Sequence, residues 1–160
     1  MNYRCLRYLV FFYTVLAVFL SCQAQSVPSI TSISPSVGPV SPVGGSVTIK
    51  GSGFGATQGS NSTVTFGSVA STPSSWSDTK IVAPVPNSLA PGFVDVVVTV
   101  NGAASNARSF IVIPVITAIS ASSGVVGTTV AITGTSFGDT QGSSTVTFNG
   151  TPGVPVTWSN

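Results

Sequence analysis

Val47-Thr48-Ile49-Lys50-Gly51-Ser52-Gly53-Phe54-Gly55-Ala56-Thr57-Gln58-Gly59 returns later in the chain as Val130-Ala131-Ile132-Thr133-Gly134-Thr135-Ser136-Phe137-Gly138-Asp139-Thr140-Gln141-Gly142. In each copy a short alternating apolar run enters a glycine-rich turn that carries one phenylalanine. Alternation of period two is the mark of a half-buried strand. The glycines supply left-handed backbone, and the ring folds back onto the core. A motif that recurs at a fixed interval marks a repeat architecture. The chain therefore reads as two copies of one small all-β module.

The equivalence extends on both sides of the motif. Pro28-Ser-Ile30-Thr-Ser-Ile33-Ser-Pro35 matches Pro114-Val-Ile116-Thr-Ala-Ile119-Ser-Ala121. Isoleucines three apart break strict alternation, which implies a bulge or a strand that changes sheets. The loop over residues 36–45 is three residues longer in the first copy. Thr63-Val64-Thr65-Phe66 and Thr145-Val146-Thr147-Phe148 form a third strand, with Val and Phe on one face and Thr on the other. Trp76 and Trp158 follow at the same interval. Beyond Trp76 the first copy adds a strand over residues 80–85, a loop over 87–92 and an alternating strand over 93–100. On that last strand Val94, Val96, Val98 and Val100 line one face; Phe93, Asp95, Val97 and Thr99 line the other. Asn101-Gly102 suits a type I′ hairpin turn, and residues 107–113 return antiparallel. About seven short strands with frequent turns imply an immunoglobulin-like β-sandwich.

Composition narrows the function. The 160 residues carry five Lys or Arg and three Asp, with no Glu and no His. Both cysteines lie in the first 22 residues. Arg4 and Arg7 precede an apolar run over residues 8–20, which is signal-like and short for a spanning helix. Ser21-Cys22-Gln23-Ala24 offers cleavage after Ala24, making residues 1–24 a signal peptide and 25–27 a leader. Phe19-Leu20-Ser21-Cys22 also resembles a lipoprotein box, with Cys22 as the alternative, lipidated terminus; an uncleaved anchor is a third reading. After cleavage Lys50, Lys80 and Arg108 balance Asp78, Asp95 and Asp139, and no cysteine remains. A neutral surface offers no footprint for nucleic acid, or for a membrane unless Cys22 is acylated. The expected address is secreted or cell-surface, extracellular or periplasmic.

Residues 28–113 thus form one complete copy and 114–160 an N-terminal half copy. The strands matching residues 80–85, 93–100 and 107–113 have no counterpart in the second. Half a sandwich leaves inner valines and isoleucines facing water and strand edges unpaired. The composition runs unchanged to Asn160, which reads as a fragment of a longer repeat protein. The alternatives are a poorly stable half copy, or one completed by association with another chain.

The ordered set Ile30-Thr-Ser-Ile-Ser-Pro35, Gly44-Gly-Ser-Val-Thr-Ile49, Gly51-Ser-Gly-Phe-Gly55, Val64-Thr-Phe66 and Trp76-Ser-Asp-Thr-Lys-Ile-Val-Ala-Pro-Val-Pro86 resembles an IPT/TIG domain. The resemblance covers residues 28–113 fully and 114–160 as a half. It implies an early-set immunoglobulin-like sandwich with no catalytic residues, of the kind found in bacterial exported repeat proteins. Such modules act as spacers or adhesive domains, sometimes beside glycan-active enzymes.

Candidate chemistry is sparse. Without His, Glu or mature Cys, no general base is paired with a nucleophile, so neither enzyme activity nor a cofactor is expected. Gly51-Ser-Gly-Phe-Gly55 is turn chemistry rather than a phosphate loop, since no helix follows it. Asp139 is a calcium candidate, but one carboxylate falls far short of the oxygens that ion takes. Trp76 is a candidate for sugar stacking or a structural lid on the sandwich edge. Phe93, outward beside Asp95 and Val97, is a second ligand candidate. Asn61-Ser-Thr63 and Asn149-Gly-Thr151 match glycosylation acceptors. The partner is a protein or a glycan.

Overall fold

The structure is a computed structural model and describes residues 26–40 and 45–160. The segment expected to be a signal peptide, with Cys22 and Ala24, lies outside the described residues. Among the described residues every regular element is a strand. The strands of the first copy are β1 (Ser29–Ser34), β2 (Val37–Gly38), β3 (Ser46–Ser52), β4 (Thr63–Phe66), β5 (Val69–Ser71), β6 (Ser75–Trp76), β7 (Lys80–Pro84), β8 (Gly92–Val100), β9 (Ala103–Ala104) and β10 (Arg108–Val112). One sheet has the order β1-β3-β7-β6; the other has β2-β10-β8-β4-β5, with β9 also paired to β8.

Alternation of side chains places the two inner faces. Val47 and Ile49 on β3, Val64 and Phe66 on β4, Ile81 and Ala83 on β7, and Val96 and Val98 on β8 are all buried. Phe66 meets Phe110 of β10 edge to face, with centroids 5.8 Å apart and planes at 90°. Each such fully buried Val, Ile or Phe contributes roughly 1.5–3 kcal/mol. Residues 28–113 contain no cysteine.

The isoleucine spacing on β1 has both of its predicted consequences. The pairing of β1 with β3 shifts between Ile30 and Ser32, a bulge at Thr31. Thr31 Oγ1 donates to the Lys50 carbonyl at 3.0 Å. After the cis Ser34–Pro35 bond the chain leaves the first sheet. Its next strand, β2, pairs parallel to β10 in the second. That strand falls inside what the sequence reads as a loop. Two residues carry no periodicity, so only the tertiary partner β10 makes it a strand. The short β5 and β6 escape for the same reason.

The return strand differs from its reading. Asn101 and Gly102, with φ of 49° and 85°, form the expected two-residue hairpin, pairing Val100 with Ala103. Continued unbroken, that register would set Phe110 opposite Phe93, on the outside. Instead the ladder breaks after Ser105 and resumes one residue out of step, with Phe110 opposite Val94. A one-residue slip exchanges the faces of a strand. Phe110 therefore enters the core and Ile111 moves to the outer face beside Phe93. Asn106 stands at the break. Its side chain accepts from Ile30 N–H at 2.8 Å and donates to the Ile30 carbonyl at 3.0 Å. That amide imitates a strand and joins the edges of the two sheets.

The second copy comprises β11 (Val115–Ile119), β12 (Ile132–Thr135), β13 (Val146–Phe148) and β14 (Thr151–Gly153). β11 pairs β12 with a shift between Ile116 and Ala118, at the place equivalent to the β1 bulge. Thr117 Oγ1 donates to the Thr133 carbonyl at 3.2 Å, as Thr31 does to Lys50. β13 and β14 pair in the register of β4 and β5. The half copy thus repeats the first in detail without the strands that cover it.

Candidate functional site

The glycine loop is the most repeated feature, so its groups come first. Phe54 is fully buried beneath it. Gly51 takes ordinary backbone dihedrals, and its role is space: a Cβ there would overlap the Ser29 carbonyl oxygen and the tip of the Phe54 ring. Gly134 faces the same two obstacles, the Val115 carbonyl and Phe137. Gly53 and Gly55 do take the left-handed backbone, with φ of 74° and 86°. In the second copy Ser136 replaces Gly53 and holds φ of 59°.

Trp76 and Asp78 clamp this loop. Trp76 Nε1 donates to the Phe54 carbonyl at 3.0 Å, and its ring packs on the core. Asp78 accepts from Phe54 N–H through its carbonyl at 3.1 Å. Its carboxylate accepts from Gly55 N–H at 3.0 Å. In the second copy both bonds are displaced by one residue: Trp158 Nε1 donates to the carbonyl of Gly138, the counterpart of Gly55, at 3.1 Å, and Asn160 Oδ1 accepts from the N–H of Phe137, the counterpart of Phe54, at 3.1 Å. Asn160 occupies the place of Asp78, so the position requires an acceptor rather than a charge. The pair Trp-Ser-Asp and Trp-Ser-Asn in the two copies carries that signal in the sequence.

Asp139 is exposed in the loop after Gly138. Among the described residues no three His, Cys, Asp or Glu side chains come together as a metal-binding group. An open groove of about 560 Å³ runs between residues 69–72 and 84–88. Its floor is closed by Ser71 Oγ, which donates to the Pro84 carbonyl at 2.6 Å and ties the sheets together. The groove presents hydroxyls, prolines and one amide, with no ionisable side chain.

The outer face of the second sheet is different. Phe93 on β8 is 78% exposed. Ile111 of β10 stands directly opposite it, and Val37 of β2 stands opposite Ile111. Three apolar side chains therefore form one row across three strands, about 10 Å wide at ordinary strand spacing. The next row holds Asp95 opposite Ser109. The row after it holds Val97, Thr65 and Ala70. Phe93 is legible as outward from alternation alone. Its neighbours are not, because Ile111 reaches this face only through the register break at Asn106, and Val37 only through the sheet change at Pro35.

Many solved structures share a partial likeness with the chain, two of them as follows. A γ-CGTase from Alkalophilic bacillus clarkii is 32% identical over 54% of this chain, with a TM-score of 0.48. A structural genomics protein of unknown function from Bacteroides thetaiotaomicron VPI-5482 is 23% identical over 57%, with a TM-score of 0.50. The match spans 12% of the length of the first and 23% of the second. No curated protein matches the chain. The family model for the IPT/TIG domain matches residues 28–111 and again 114–160. The chain belongs to the IPT/TIG domain family, whose immunoglobulin-like sandwich is seen in residues 28–113 and whose model matches again over residues 114–160.

Proposed function

We infer that residues 28–113 act as a non-catalytic binding or spacer module of an exported protein, meeting a partner through the Phe93 row. One observation carries this reading: Phe93 stands 78% exposed in a row with Ile111 and Val37. Burying those three side chains against a partner is favourable at roughly 25 cal/mol per Å² of apolar surface. The candidate chemical groups elsewhere are engaged in the fold: Trp76 and Asp78 hold the glycine loop. The partner is a protein in the first reading. The second is a glycan, with the module accessory to a glycan-active enzyme. It draws on the aromatic ring of Phe93 standing one row from the polar pair Asp95 and Ser109.

Retention of the purified chain on insoluble polysaccharides, compared with Phe93→Ala, separates the two. Retention abolished by that substitution, with the denaturation midpoint unchanged, assigns a glycan. No retention on any polysaccharide removes the glycan reading. Trp76→Ala belongs beside them as a control for loss of fold. Turnover of a glycoside or ester by the chain would overturn the non-catalytic assignment. Export is read from the mass of the mature protein: an N-terminal Gln25 supports secretion, and an acylated Cys22 a lipid anchor.

A further inference from the structure

The described residues hold six charged side chains, and the fold sorts them. Arg108 Nε donates to the Ile30 carbonyl at 3.3 Å, and the Asp78 carboxylate accepts from Gly55 N–H. Asp139 lies in the second copy. The other three stand on the two outer faces of the first. Lys50 of β3 and Lys80 of β7 follow and precede the buried Ile49 and Ile81, so both point out of the first sheet, directly opposite each other. Asp95 of β8 precedes the buried Val96 and points out of the second sheet, one row from Phe93. All three are exposed, and their charged groups make no hydrogen bond or ion pair among the described residues.

Opposed like charges destabilise a strand pair. A carboxylate set between the two ammoniums turns that repulsion into attraction. The apolar groups keep the same spacing. Phe93 is two residues from Asp95 along β8, and Val82 is two residues from Lys80 along β7; each step is about 7 Å. Val82 is half-buried on the outer face, between Thr48 and Ser75. Two sheets stacked with their strands nearly aligned can therefore make the charged and the apolar match together.

We propose that the partner of the Phe93 row is another copy of this chain, docked front to back. Asp95 on the second sheet of one copy enters between Lys50 and Lys80 on the first sheet of the next, and Phe93 seats on Val82. This rests on the reading of the Phe93 row as a partner surface. Charge rejects the pairing of like faces: front on front sets Asp95 against Asp95, and back on back joins two lysine pairs. The contact is therefore heterologous. Each docked pair keeps one free front and one free back, so the contact propagates into a stack.

Sedimentation of the purified chain across concentration and salt tests this. Association should grow with concentration and weaken as salt rises. Asp95→Lys in one variant, and Lys50→Glu with Lys80→Glu in another, should each weaken it by at least about tenfold. Mixing the two variants should restore association at equal stoichiometry, because every contact in an alternating stack again joins opposite charges. Urea midpoints check the fold; where a reversal shifts the midpoint, Asp95→Asn or Lys80→Gln replaces it and should weaken association in the same direction. A chain that stays monomeric at millimolar concentration and low salt overturns the proposal. So does failure of the mixture to associate while both midpoints are unchanged. Association lost with Phe93→Ala but indifferent to charge reversal overturns the front-to-back pairing and leaves the Phe93 row a partner surface. Charge-dependent association untouched by Phe93→Ala overturns the row itself, and with it the seating on Val82.

Discussion

A few positions decide whether the chain can close. Gly51 admits the Phe54 ring and the Ser29 carbonyl into space that a methyl group would occupy. Gly51→Ala is expected to destabilise the first copy by at least about 3 kcal/mol, the upper range for overpacking. Gly67 has φ of 57° and nothing near it, so Gly67→Ala should cost only about 1 kcal/mol of left-handed strain. Urea midpoints of the two variants separate crowding from dihedral preference. Asn106 is the other decisive residue. Asn106→Ala removes the acceptor of the Ile30 N–H beside the core and leaves the Ile30 carbonyl only the longer bond from Arg108 Nε at 3.3 Å. The expected loss is about 1–3 kcal/mol, read from the same denaturation curve. The sequence announces Gly51 through the repeat, because Gly134 recurs with its phenylalanine. It does not announce Asn106, whose partner lies 76 residues away.

Strands that alternate over four or more residues are legible, because period-two patterning reports a buried face directly. β3, β4, β7 and β8 are of this kind, and so is the Asn101-Gly102 hairpin with its positive φ values. The bulge in β1 shows as isoleucines three apart. What escapes is set by tertiary partners: the two-residue β2, and the register of β10. For β10 the hairpin and the hydrophobic pattern disagree by one residue, and burial of Phe110 against Phe66 wins. Substitutions test that directly. Phe110→Ser is expected to cost about 3–5 kcal/mol, as loss of a buried ring does. Ile111→Ser, on the outer face, should stay within about 1 kcal/mol of the parent chain. Reversed costs would mean that the strand runs in the unbroken hairpin register. The same slip explains why the Phe93 row could not be assembled from the sequence. Phe93 is visible as outward, but its row is built by a bulge and a sheet change.

At the scale of the molecule, one plan appears in full over residues 28–113 and begins again over residues 114–160. The first copy builds its core without disulfides; burial holds the sheets together, with the Ser71–Pro84 bond and the Asn106 amide joining them at their margins. The second copies the local geometry but exposes Ile116, Ile119 and Phe148, whose counterparts in the first copy face the core. Local hydrogen bonds and glycine clearances therefore shape each hairpin, while cooperative stability requires the opposing strands. The repeat is plain in the sequence because the motifs are spaced alike. The partner is not, since an exposed apolar row specifies no ligand.

Native-state hydrogen exchange on residues 1–160 tests this account most directly. Amides of Val47, Ile49, Val96 and Val98 should be the slowest to exchange, opening only with global unfolding of the first copy. Those of Ile132, Val146 and Phe148 should exchange through local opening, orders of magnitude faster. Equal protection of both sets in the monomeric chain would contradict it, because the second copy would then need no covering strands.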